Sequence, residues 1–183
     1  DAREELMHNV FNTKIDEPNS PYLREGMNIL SKVVQHPEFT KAVEEHFQGD
    51  KDMAAEVINK YFNIDNTEGN QGVKEFIAGV GNDYGMKEVL SKLGAGGKKT
   101  FLDKAKELLV KMVPWTAKYA KLNTKQKISY LDEYMGLINS ARDASKDKAA
   151  EKLTDDESGS LGHLYGKVIG RDRVPIAEMK KLD

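Results

Sequence analysis

Apolar residues recur at three- and four-residue spacing through most of the chain, which is the period of amphipathic helices packed on a common core. Leu6, Met7, Val10 and Phe11 form a first short set, and Pro18 and Asn19 mark the turn after it. Ser20 then reads as an N-cap with Pro21 at the first helical position, and the helix carries Leu23, Met27, Leu30 and Val34 on one face. His36-Pro37 breaks that helix. A new one starts at Pro37, carries Phe39, Val43, His46 and Phe47, and stops at Gly49. Asp50 can cap the next, which shows Met53, Val57, Ile58, Tyr61 and Phe62 at helical spacing.

Residues 63–72 are polar and glycine-bearing and read as a loop. Val73, Phe76, Ile77 and Val80 rebuild a helical stripe, and Asn82 or Asp83 can cap a short helix through Val89, Leu90 and Leu93. Gly94-Ala95-Gly96-Gly97 is the strongest break in the chain and predicts a hinge. Beyond it Phe101, Ala105, Leu108 and Met112 share one stripe, with Leu102, Leu109 and Val113 beside them, until Pro114 stops or kinks the helix. Asn123 and Gln126 stand at capping-box spacing ahead of Ile128, Leu131, Met135 and Ile138, and Thr154 and Glu157 repeat the device ahead of Leu161, Leu164, Tyr165 and Val168. A last helical piece starts at Pro175 with Ile176, Met179 and Leu182. No sustained alternation of β-branched residues interrupts this series.

The pattern therefore predicts an all-α fold, a compact multi-helix bundle of about eight to ten short helices. Residues 1–183 read as a single helical domain, divisible at residues 94–97 into an acidic half, 1–93, and a basic half, 98–183. That division follows from charge. Residues 1–75 hold 8 Lys and Arg against 15 Asp and Glu, whereas the whole chain is only at −2. The steepest basic stretch is 87–127, where 11 lysines face Glu88, Asp103 and Glu107 alone. An anionic partner would be drawn there.

Hydrophobic residues at 39% and charged residues at 32% suit a folded, water-soluble chain, and no run approaches the roughly 18 apolar residues of a membrane span. Cysteine is absent, which removes disulfides, thiol catalysis and thiolate metal sites. Its absence suits a reducing compartment such as the cytoplasm, and equally a secreted protein delivered into a host cell. The chain starts at Asp1 rather than Met, so the native start is expected to have been removed.

Two loops approach known ligand-binding patterns without meeting them. Residues 65–72 and the following Glu75 resemble a calcium loop and its exiting helix, but setting Gly69 at the turn position puts Ile64, which has no side-chain oxygen, at the first ligand position. The run Gly94-Ala95-Gly96-Gly97-Lys98-Lys99-Thr100 has the glycines, lysines and hydroxyl of a phosphate loop, yet Lys92 stands where the first glycine belongs and no strand precedes it. Gly96, Gly97, Lys98, Lys99 and Thr100 can at most hold an anion through backbone amides at a helix start. His8, His36, His46 and His163 are too scattered for a metal site, and no nucleophile elbow occurs. No catalytic residue, metal or cofactor is indicated.

A basic and aromatic segment is the most informative surface feature. Lys104, Lys111, Lys118 and Lys125 recur every seven residues with Trp115 and Tyr119 among them, and a helix unbroken at Pro114 would bring these lysines to one side. Tyr130 and Tyr134 flank Leu131 and Met135, where they either widen a core face or anchor an interface. Gly162, Gly166 and Gly170 recur every four residues and would let another backbone approach, as in a homo-oligomer. The stretch from Trp115 to Tyr134 resembles the WY-type helical effectors of plant pathogens, with closer Trp–Tyr spacing than that family's motif and no RxLR sequence in the chain. That resemblance implies a secreted microbial protein that binds a host protein.

The reading is a non-enzymatic helical protein–protein interaction module whose partner presents an acidic surface. Two alternatives stand beside it. One is a nucleotide- or anion-binding switch or enzyme using residues 94–100. The other binds anionic phospholipid or nucleic acid through residues 87–127, although a pI of about 6.2 argues against a dedicated nucleic-acid binder.

Overall fold

Local capping groups decide where several helices begin. The structure, a computed structural model, describes residues 7–82 and 84–143. A π-helical turn, Met7–Phe11, leads into α1 (Asn12–Asp16). Ser20 Oγ accepts from the Leu23 amide at 3.2 Å and Pro21 opens α2 (Pro21–Val34). Helix α3 spans Phe39–His46 and α4 spans Lys51–Tyr61, the latter capped by Asp50, whose Oδ1 accepts from the amides of Asp52 and Met53. A 3₁₀ turn, Glu68–Asn70, precedes α5 (Gln71–Asn82), followed by α6 (Tyr84–Ser91). After a short hairpin come α7 (Phe101–Met112), α8 (Ala117–Ala120) and α9 (Thr124–Asp143). The fold is all-α and multi-helical, as the periodicity predicts.

Three differences from the sequence reading have physical causes. Helix α3 starts at Phe39 rather than Pro37, because residues 36–38 turn first, with the Glu38 amide donating to His36 Nδ1 at 3.1 Å. Helix α2 buries Gly26, Ile29, Leu30 and Val33, a face rotated from the expected Leu23–Met27–Leu30–Val34 stripe, and leaves Met27 at 37% exposure. Gly26 causes the rotation: a β-carbon there would sit 2.7 Å from Val73 Cγ1, so the missing side chain admits α5. The glycine cluster forms an antiparallel ribbon rather than a bare hinge, β1 (Gly94–Gly96) pairing with β2 (Lys99–Thr100). Gly96 and Gly97 turn the ribbon at φ of +105° and +62°, angles that cost glycine little.

Phe11–Met112 forms one compact unit, and the described residues 7–10 and 113–143 fall in a second. The unit boundary thus falls at the end of α7, and the glycine ribbon lies within the first unit. There α2 packs against α5 and α7, α4 against α5, α3 against α6, and α6 against α7. Phe76, Leu90, Leu93 and Leu108 are fully or almost fully buried among them. The expected stripes of α5, α6 and α7 are all buried, including Val73, Ile77, Val89, Phe101, Ala105 and Met112. Helix α4 is the exception, since Met53 is 44% exposed and Val57, Ile58 and Tyr61 are half-buried.

The capping of α3 at its C-terminus follows the Schellman pattern, with Gly49 donating to Glu44 O at 2.8 Å and Gln48 to Glu45 O at 3.1 Å. Here Gln48 rather than glycine holds the left-handed position, at φ +55°. The expected Thr154–Glu157 box, the glycines 162, 166 and 170, the helix from Pro175, Leu6, Asp83 and the side chains of Met135 and Ile138 lie outside the described residues.

Candidate functional site

Pro114 shapes the start of the second unit. It has no amide hydrogen and disfavours helical backbone at the residue before it, so α7 stops at Met112 and the chain runs extended to Thr116 before α8. The helix that would have carried Lys104, Lys111, Lys118 and Lys125 on one side is therefore not continuous. Lys104 and Lys111 belong to α7, Lys118 to α8 and Lys125 to α9. Lys111 is also engaged, its Nζ lying 2.9 Å from Glu25 Oε1 of α2.

Between Val113 and Leu131 the picture is different. Asn123 and Gln126 cap α9 reciprocally, each side-chain oxygen accepting from the other's amide at 3.0 and 2.9 Å, which satisfies the helix start without any outside anion. Tyr119 stacks on Tyr130 at 5.2 Å with ring planes 20° apart, and Trp115 meets Tyr130 at 5.8 Å. Tyr119 and Tyr130 are 2% and 6% exposed, so they hold this segment together and are not broad exposed anchors. Trp115 and Tyr134 are half-buried.

Around this aromatic cluster lies a surface rich in lysine. Lys118, Lys121 and Lys125 are exposed, and Lys127 rests with its Nζ 5.7 Å from the Trp115 ring centre, a cation–π arrangement. Lys118 stands at the same distance, 5.7 Å, from the Tyr119 ring. No acidic residue occurs in sequence between Glu107 and Asp132, and Lys121 and Lys125 make no ion pair among the described residues. In the first unit Lys14, Lys41, Lys74, Lys92, Lys99 and Lys111 lie against carboxylates, while Lys32, Lys51 and Lys98 stand exposed. Beside the exposed lysines runs a mostly apolar groove of about 320 Å³ lined by Leu122, Lys125, Gln126, Ser129, Tyr130 and Glu133.

Comparison with protein-family models, with curated proteins and with solved structures finds no match.

The glycine ribbon gives the anion-binding alternative little support. Thr100 and Asp103 form their own capping box, Asp103 Oδ2 accepting from the Thr100 amide at 2.8 Å, and Lys99 is paired with Glu107. Carboxylates of the same helix thus occupy the amide and the ammonium that a phosphate would use. Lys98, Gly96 and Gly97 remain exposed on the turn.

The calcium-like loop is likewise internally satisfied. Asn66 O accepts from the Gly72 amide at 2.7 Å, and Glu75 Oε1 accepts from Gln71 Nε2 at 2.7 Å. Among the described residues no three His, Asp or Glu side chains converge as a metal site, and no helix is long and apolar enough to cross a membrane. His46 sits 3.3 Å from Glu88 Oε2 and edge-on to Phe47, tying α3 to α6.

One polar contact escaped the sequence reading altogether. Asp16 accepts from Lys74 Nζ at 2.6 Å and from Asn70 Nδ2 at 3.1 Å, joining the end of α1 to the start of α5. Those two hydrogen bonds, led by Lys74, hold the Asp16 carboxyl below its usual range against the opposing effect of burial. Partners 54 and 58 residues away leave no local pattern to read.

Proposed function

We propose that the chain is a helical protein–protein interaction module that recognises an acidic partner surface through Lys118, Lys121 and Lys125. The observation that carries this reading is exposed positive charge in a stretch without acids. Lys121 and Lys125 stand exposed with no ion pair among the described residues, and no acidic residue occurs in sequence between Glu107 and Asp132. Lys121 and Lys125, exposed and alike in charge, add little to folding, so they are most useful when an opposite charge arrives from outside. Oppositely charged surfaces raise the association rate and set register, even where they add little affinity.

The test is affinity capture from native lysate at moderate salt, with the parent chain and a Lys118→Glu/Lys121→Glu/Lys125→Glu variant side by side. Lys41→Glu, placed in α3 between Glu38 and Glu45, controls for a general loss of positive charge. The proposal expects acidic proteins on the parent and control columns that are missing from the triple variant. Identical retention by all three would refute it.

A further inference from the structure

Resting on that reading, we infer that the groove along the first turns of α9 receives one apolar side chain of the partner, so that the partner presents a linear acidic segment with an apolar anchor. Leu122 and Tyr130 give the groove its carbon surface, and Lys125, Gln126, Ser129 and Glu133 complete its lining. Lys125 and Glu133 are eight residues apart on one helix, which places them about 12 Å apart along its axis. The groove therefore has a basic end at Lys125 and an acidic end at Glu133. Carboxylates of the occupant belong at the Lys125 end, the apolar side chain in the middle, and a neutral or basic residue at Glu133.

Other anionic ligands fit less well. Single-stranded nucleic acid binds basic surfaces best where exposed aromatic faces can stack on bases. Tyr119 and Tyr130 are buried and stacked on each other, and Asp132 and Glu133 stand exposed one turn beyond. A bilayer surface rewards apolar groups that project from a basic face, whereas here the apolar surface is recessed in a groove. A recess of about 320 Å³ has room for one large side chain. Partial burial of such a side chain is worth about a tenfold gain in affinity.

Trp115 supplies the readout. It is the single tryptophan of the chain and lies 5.8 Å from Tyr130, which lines the groove. The experiment titrates the full chain with synthetic tryptophan-free peptides, one with glutamates flanking a central phenylalanine and one with serine in its place, and follows Trp115 fluorescence. The phenylalanine peptide should bind about tenfold more tightly. Ser129→Gln, which narrows the groove without changing charge, should erase that ratio, and Lys125→Glu should weaken both peptides.

Equal affinity for the two peptides, with both weakened by Lys125→Glu, would overturn the groove and leave the basic-surface reading standing. Binding indifferent to Lys125→Glu, or no binding of either peptide, would overturn both. A response to phosphatidylserine vesicles with none to the peptides would overturn both in favour of a membrane surface.

Discussion

Replacing Gly72 with alanine should destabilise the first unit, although alanine is ordinarily the better helix residue. Gly72 is the second residue of α5, and an alanine at an unobstructed helical position gains about 0.5–1 kcal/mol over glycine. Here the added β-carbon would meet Asn63 O at 2.4 Å and Asn66 O at 2.9 Å. Both are backbone atoms, so no rotamer change can relieve them. Asn66 O also accepts the Gly72 amide at 2.7 Å, so retreat of the loop strains a hydrogen bond as well. Overpacking of this kind costs about 1–3 kcal/mol, and with two backbone contacts this close the upper part of that range applies, which leaves a net loss of up to about 2.5 kcal/mol. Urea unfolding followed by far-ultraviolet circular dichroism reads that loss as a lower midpoint at unchanged slope. Gly94→Ala is the control, because nothing lies within 4 Å of its β-carbon position, and its midpoint should stay near the parent. A Gly72→Ala midpoint at or above the parent's would refute the close approach of loop 63–66 to α5.

Three further outcomes follow from the same geometry. Gln48→Gly should raise stability by about 1 kcal/mol, since glycine relieves the left-handed backbone at φ +55°, and thermal melting reads it directly. Leu108→Ala should cost about 2–5 kcal/mol, because Leu108 is fully buried, and its denaturation midpoint measures the loss. The Asp16 carboxyl is held below the ordinary aspartate value by Lys74 and Asn70, so its contribution is present above the unfolded value and is lost as pH falls through the folded one. Asp16→Asn should therefore be less stable than the parent at neutral pH, with the gap closing in acid. A gap that widens toward low pH would contradict that sign.

What the sequence reveals here is set by the range of the interaction. Ser20-Pro21, Asp50 and the Asn123–Gln126 box are legible because a cap is a bond between a side chain and an amide two or three residues away. The buried stripes of α5 and α7 are legible because large apolar side chains at helical spacing mark the face that each turns to the core. In α2 the buried face includes Gly26, whose missing side chain admits Val73 of α5 and which no apolar pattern marks. Apolar spacing could not anticipate that rotation. Lysine spacing likewise could not distinguish Lys111, paired with Glu25 86 residues away, from Lys125, which has no such partner among the described residues. Pro114 was the one visible warning that the seven-residue lysine repeat would not share a helix. The aromatic cluster joins an extended segment, α8 and α9, so only the folded chain brings Trp115, Tyr119 and Tyr130 together.

The central claim is that Lys118, Lys121 and Lys125 serve an acidic protein surface rather than a membrane or a nucleic acid. Its most direct measurement is equilibrium binding of the intact chain to three defined polyanions at matched salt: polyglutamate, phosphatidylserine vesicles and duplex DNA. The account predicts that polyglutamate binds most tightly, that binding weakens as salt is raised, and that the triple Lys→Glu variant loses it while melting near the parent. Preferential binding to vesicles or DNA, or polyglutamate binding that survives the triple substitution, would contradict it.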